Sequence, residues 1–141
     1  MPGPSRTASV DVRDDDLTRE VIGCAIKVHR ALGPGLLESA YDGCLAYELV
    51  ARGFEISRHV TLPVIYEGVR IEVGYRPDII VNNELMLELK TVAHLLPVHD
   101  AQLLTYLRLS GIERGLLMNF HEQQLIRGIR RLVLSRSKAL P

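Results

Sequence analysis

From Leu17 onward the apolar positions Leu17, Val21, Cys24, Ala25, Val28 and Leu32 recur at three- and four-residue intervals, the spacing that lines one face of a helix. Gly33-Pro34-Gly35 ends that rhythm, because glycine and proline stop a helix and turn the chain. A second helix is predicted from about Leu36 to Arg52, with Gly53 as its stop. Beyond Gly53 the rhythm shortens. Ile56, Val60, Leu62, Val64 and Ile65 are dense and partly alternating, Glu67-Gly68 marks a turn, and Val69, Ile71 and Val73 alternate with Arg70 and Glu72. A strand from Tyr75 to Val81, a turn at Asn82-Asn83 and a strand from Leu85 to Lys90 follow, and this repeated spacing predicts an antiparallel meander. Pro97 suits the first turn of a third helix from about Val98 to Ser110, which Gly111 ends. Leu116, Leu117 and Met118 then read as a short buried strand. The segment Leu125 to Leu134 fits strand or helix, with strand preferred. Met1 to Arg13 is rich in Pro, Gly and Ser without periodicity and reads as a flexible arm, which leaves residues 14–136 as a single domain.

Composition narrows the classes. A chain of 141 residues holds one domain and can bury a core without staples. Cys24 and Cys44 form no CxxC pair, so a zinc ribbon or iron–sulfur cluster is unsupported, and both are expected as buried, reduced thiols on helix faces. No apolar run approaches the roughly 18 residues that span a bilayer, and the N-terminus has no signal-peptide core. The expectation is a cytoplasmic protein without a membrane partner. Lys plus Arg is 17 and Asp plus Glu is 17, a balance that argues against a non-specific cationic coat for DNA. Asp11, Asp14, Asp15 and Asp16 crowd one end and Arg127, Arg130, Arg131, Arg136 and Lys138 the other, and on charge alone both clusters are solvated faces.

The candidate chemistry starts at Glu38. Leu37, Tyr41, Cys44, Leu45 and Leu49 share one face of the second helix, and Glu38 points between Leu45 and Leu49. A buried carboxylate is costly unless paired, protonated or metal-bound. The helix dipole would welcome its charge in the first turn, but does not explain an inward direction. A second group is Asp78 with Glu88-Leu89-Lys90. Alternation sends Glu88 and Lys90 to one face of a strand, and pairing across the Asn82-Asn83 turn would bring Asp78 beside them. Mg²⁺ takes such carboxylate oxygens, and Lys90 could activate water or stabilise charge on a phosphate. Met-Leu-Glu-Leu-Lys alone equally describes a solvated strand; its combination with an inward helix acid lifts it. His99, Gln102 and Tyr106 form a stripe on the third helix, suited to a phosphate or to a polar border beside the core. His29, His94 and His121 show no ligand spacing and are expected to be structural or exposed, and neither a Walker loop nor a GxSxG elbow is present.

Gly35-Leu36-Leu37-Glu38-Ser39-Ala40-Tyr41, followed by Asp78, Glu88-Leu89-Lys90 and Gln102 through Tyr106, resembles the GxxExxY family of the PD-(D/E)XK nuclease-like superfamily. The likeness runs from about Leu17 to Leu134. It implies an α/β fold with a restriction-endonuclease-like core, a central mixed β-sheet flanked by helices, ordered helix, three strands, helix, strand. It implies Asp78, Glu88 and Glu38 as metal acids for Mg²⁺ or Mn²⁺, Lys90 as catalytic base or charge stabiliser, and Gln102 and Tyr106 as substrate contacts, with Gly35 and Tyr41 shaping the helix start. The function implied is metal-dependent phosphodiester hydrolysis of nucleic acid, DNA ahead of RNA. A protein partner or homodimer is also entertained, including a dimer through the Leu-rich third helix. The alternative is a non-catalytic nucleic-acid-binding or scaffold protein that keeps the fold.

Overall fold

The computed structural model describes residues 15–134 and the backbone of a strand at Ala8–Val10. Its helices are α1 (Asp16–Leu32), α2 (Glu38–Ala51) and α3 (Pro97–Ser110). Its strands are β1 (Ala8–Val10), β2 (Ile56–Arg58), β3 (Leu62–Tyr66), β4 (Val69–Tyr75), β5 (Ile79–Val81), β6 (Leu85–Lys90), β7 (Arg114–Asn119) and β8 (Ile129–Leu134), with a 3-10 turn at Leu125–Gly128. Six strands form one mixed sheet in the order β1-β8-β7-β6-β5-β2, while β3 and β4 form a separate hairpin.

Two layers of helix sandwich that sheet. On one face α1 and α2 bring Val21, Val28, Tyr41, Leu45 and Leu49 against Leu85, Leu87, Leu89, Leu116 and Met118. On the other, α3 brings Leu103, Tyr106 and Leu107 against Ile80, Met86, Leu117 and Leu132. The alternating residues of β6 therefore serve two cores, and its near-continuous burial follows from having helices on both sides. The order α2, β2, β5, β6, α3, β7 is the helix–three strands–helix–strand core that the resemblance implied.

The strands from Ile56 to Lys90 pair antiparallel as expected, but not as one continuous meander, because β3 and β4 pair only with each other and β2 pairs with β5. β2, β5 and β6 pair antiparallel, but α3 carries the chain across the sheet so that β7 returns parallel to β6, with Glu88 beside Leu117 and Lys90 beside Asn119. The strand expected from Tyr75 to Val81 is broken at Arg76-Pro77-Asp78, where the chain leaves the hairpin for the main sheet. Ala8–Val10, placed by sequence in the arm, pairs with Leu132–Leu134 as an edge strand. The other residues of that arm, with Arg136 and Lys138, lie outside the described residues. Cys24 is buried as expected, whereas Cys44 is exposed, and Leu37 is 79% exposed because α2 begins only after it.

The start of α2 is built by Tyr41. Its buried hydroxyl donates to Gly33 O and accepts from Leu36 N at 3.2 Å, and its ring stacks on Phe120 at 4.6 Å. Gly35, at φ 103°, supplies a backbone shape that a side chain would resist. The two named ends of the G-x-x-E-x-x-Y run thus fix where Glu38 enters the helix. Tyr41→Phe should cost about 0.5–1.5 kcal/mol, because a part-buried carbonyl and amide lose their common partner. Urea denaturation reads this as a lower midpoint at unchanged slope; an unshifted midpoint would mean the bridge contributes nothing.

Candidate metal centre

Asp78 sits just before β5 and is tied to β6 through two main-chain bonds. Its amide donates to Glu88 Oε1 at 2.9 Å, and its Oδ2 accepts from Leu89 N at 2.8 Å. Each acid thus anchors itself to the backbone beside the other. Lys90 Nζ lies 3.5 Å from Glu88 Oε2, on the same face of β6, as alternation requires. The main-chain oxygen of Lys90 accepts from Phe120 N at 2.8 Å. Just downstream, fully buried Asn119 receives Val92 N and donates to Val92 O, holding the loop that leaves the strand.

Glu38 arrives from α2, half-buried. It lines a small cavity of about 170 Å³ with Ser39, Asp42, Arg58, His59 and Asp78. Asp78 therefore faces two groups at once, the helix acids of α2 and the Glu88–Lys90 pair of β6. On the α3 side, Gln102 Nε2 donates to Tyr106 OH at 3.2 Å. His99, third in that stripe, is not in this group; its Nδ1 accepts from Leu96 N at 2.8 Å and closes the start of α3. His29 is structural, its Nε2 2.7 Å from Glu122 O.

Crowding of like charges is written into these acids. Burial, then the neighbouring Asp78 carboxylate, pushes Glu88 up to about 8 against the pull of Lys90. Burial is also the largest cause raising Asp78 and Glu38, and Asp78 adds to the rise at Glu38. Without a cation, a proton is held where two buried carboxylates meet. The donor chemistry fits a hard divalent ion, which would relieve the same repulsion through oxygen ligands.

Asp42 and His59 were not singled out from sequence, yet among the described residues Asp42, His59 and Asp78 form a three-group cluster of metal-ligand type, with their atoms within 4.8 Å. Asp42 is buried; its Oδ1 accepts from Arg58 Nη2, and its Oδ2 lies 3.2 Å from His59 Nε2. His59 has φ 53°, unusual for a residue with a side chain, and donates its amide to Asp78 O at 3.2 Å. Asp42 follows Glu38 by four residues and so shares its helix face, a signal the sequence did contain. His59 had none. The C-terminal basic cluster is engaged locally where described: Arg130 Nε reaches Asp100 at 2.9 Å and Arg127 Nε reaches Gln124 at 3.1 Å.

A sandwiched mixed sheet with an acid before one strand, an acid and a lysine within the next, and a helix acid opposite them defines a recognisable class of hydrolase. Residues 15–132 match the profile of the PD-(D/E)XK nuclease superfamily, and the chain belongs to that superfamily. No curated protein and no solved structure gives a match.

An acid with its folded-state pKa above the unfolded value binds its proton more tightly in the fold. For Glu88 that stabilisation is complete below about 4.5 and is lost as pH rises through about 8. The metal-free protein should therefore melt at a lower temperature at pH 9 than at pH 6, and Glu88→Gln should flatten the difference. Calorimetric melting across this range checks it; an equal slope in the variant would locate the titration elsewhere.

Proposed function

We propose that this chain is a Mg²⁺- or Mn²⁺-dependent nuclease of the GxxExxY type, formed by a single domain over residues 14–136 with β1 of its arm added at the sheet edge. The observation that carries the reading is the reciprocal anchoring of Asp78 and Glu88 with Lys90 beside them. Asp78, Glu88 and Glu38 would hold the ion, which when bound supplies Lewis-acid polarisation of a phosphoryl oxygen and a more acidic water. Asp42 is already paired with Arg58, so its part is to position Arg58 and His59 along the Asp78 loop rather than to give up its oxygens. Lys90, half-buried and 3.5 Å from Glu88, can donate to a developing phosphate charge, or accept the proton of an attacking water when it is neutral. Tyr106 and Gln102, hydrogen-bonded to each other at the α3 side, offer an O–H and an N–H donor to a phosphodiester oxygen. Nucleic acid is the substrate class, DNA before RNA, and the cytoplasm the expected location; no helix among the described residues is long and apolar enough to cross a membrane.

A second reading, a binding or scaffold protein that keeps the fold, draws on the zero net charge and on the local pairing of Arg130 and Arg127. Four substitutions separate the two. Asp78→Ala and Glu88→Ala should each weaken Mn²⁺ binding at least about tenfold, a loss near 1.4 kcal/mol. Lys90→Ala should abolish metal-dependent cleavage while leaving nucleic-acid binding in place. Glu38→Gln should lower cleavage sharply while metal-free stability stays equal or rises, since one like charge is removed. Calorimetric Mn²⁺ titration with single-turnover cleavage assays checks all four; unchanged affinity in both acid variants would defeat the metal site, and binding without cleavage in the native chain would favour the scaffold.

A further inference from the structure

The β3–β4 hairpin stands outside the main sheet, and every residue of β4 is exposed. Cross-strand pairs place Val64 beside Ile71 and Tyr66 beside Val69, so the apolar residues share one face of a ribbon. Near the tip, Tyr66 is 64%, Val69 58% and Val73 49% exposed. A two-stranded ribbon is marginal alone, and an open, hydrophobic strand edge is a template for another strand. Among the described residues no strand pairs with the outer edge of β4.

The sequence along that edge is self-complementary. Val69-Arg70-Ile71-Glu72-Val73, laid antiparallel on a second copy of itself about Ile71, sets Arg70 opposite Glu72, Ile71 opposite Ile71 and Val69 opposite Val73. The turn geometry sets which main-chain groups face outward as far as Ile71. Glu67 and Gly68 both have positive φ, as in the tight two-residue turn that closes Tyr66 on Val69. Alternation from that closing pair points the main chain of Ile71 at β3 and the main-chain N–H and C=O groups of Arg70 outward. Beyond Ile71 the register with β3 shifts, and Glu72 is placed by its side chain, which lies beside that of Arg70. Arg70 and Glu72 now pair with each other along one exposed strand, and in the paired form each gains an opposite charge across the edge.

We propose that the chain forms a twofold-symmetric dimer by antiparallel pairing of β4 with β4 of a second copy, joining the two hairpins into a four-stranded sheet. Opposite-charge and apolar cross-strand pairs favour this occupant over an unrelated strand, because one register satisfies all five positions.

Sedimentation velocity of the full chain over a hundredfold concentration range tests it, with circular dichroism as a check on folding. The native chain should dimerise, and Arg70→Glu and Glu72→Arg should each be folded monomers, because each sets like charges opposite one another at both ends of the pair. An equimolar mixture of these two variants should dimerise again. That recovery separates pairing between copies from the pair within one strand, which stays broken in both variants. In a Cys44→Ser background, oxidised Ile71→Cys should cross-link, since its two thiols meet on the axis, and Val73→Cys should not. A monomeric native chain at every concentration, single variants that dimerise like the native chain, or a mixture that stays monomeric would each overturn the proposal.

Discussion

Two carboxyls held side by side, Glu88 buried and Asp78 partly so, are the constraint around which the molecule is arranged. Water would solvate both at no structural cost; the interior forces them to share a proton, meet a cation or lean on Lys90. The backbone makes that proximity permanent. The Asp78 amide and the Leu89 amide each bind the opposite acid, so neither carboxyl can swing away without orphaning a buried N–H. Such a pair is stable only within a rigid surround, and β6 provides one by being covered on both faces.

That cover also decides what reaches the acids. α2 begins at Glu38 because Tyr41 and Gly35 shape the turn before it, so one helix acid is delivered to the cavity by a buried phenol three residues away. α3 crosses over the other face and brings Tyr106 beside the Glu88 side. The crossover makes β7 parallel to β6, and Asn119 at its end then clamps the loop leaving Lys90. The acids and the lysine are therefore held from both layers.

The hairpin obeys a different logic. β3 packs through Leu62 beneath α3 and Tyr75 meets Tyr106 edge-on at 5.9 Å, yet the distal half of the ribbon has nothing over it. Its base thus borders the site while its tip projects an apolar face and an open edge. The fold thus buries β6 on both faces while every residue of β4 stays exposed.

Much of this was legible in the chain. Periodicity placed all three helices within about two residues at each end, because helix faces and their glycine and proline stops are local features. Alternation put Glu88 and Lys90 on one side of a strand, and helical spacing grouped Gln102 with Tyr106. The parallel return of β7, the separation of the hairpin and the edge strand Ala8–Val10 were not legible, since strand pairing joins residues far apart in sequence. Asp42 was within reach as the fourth residue after Glu38; His59 was not, because only the loop between β2 and β3 turns it toward Asp42. By itself the sequence determined the three helices and the alternation that sets Glu88 and Lys90 on one side of a strand. Only the tertiary structure decided that Asp78 lies between two acidic groups, for a buried charge acquires its pKa and its partners from whatever the fold packs around it.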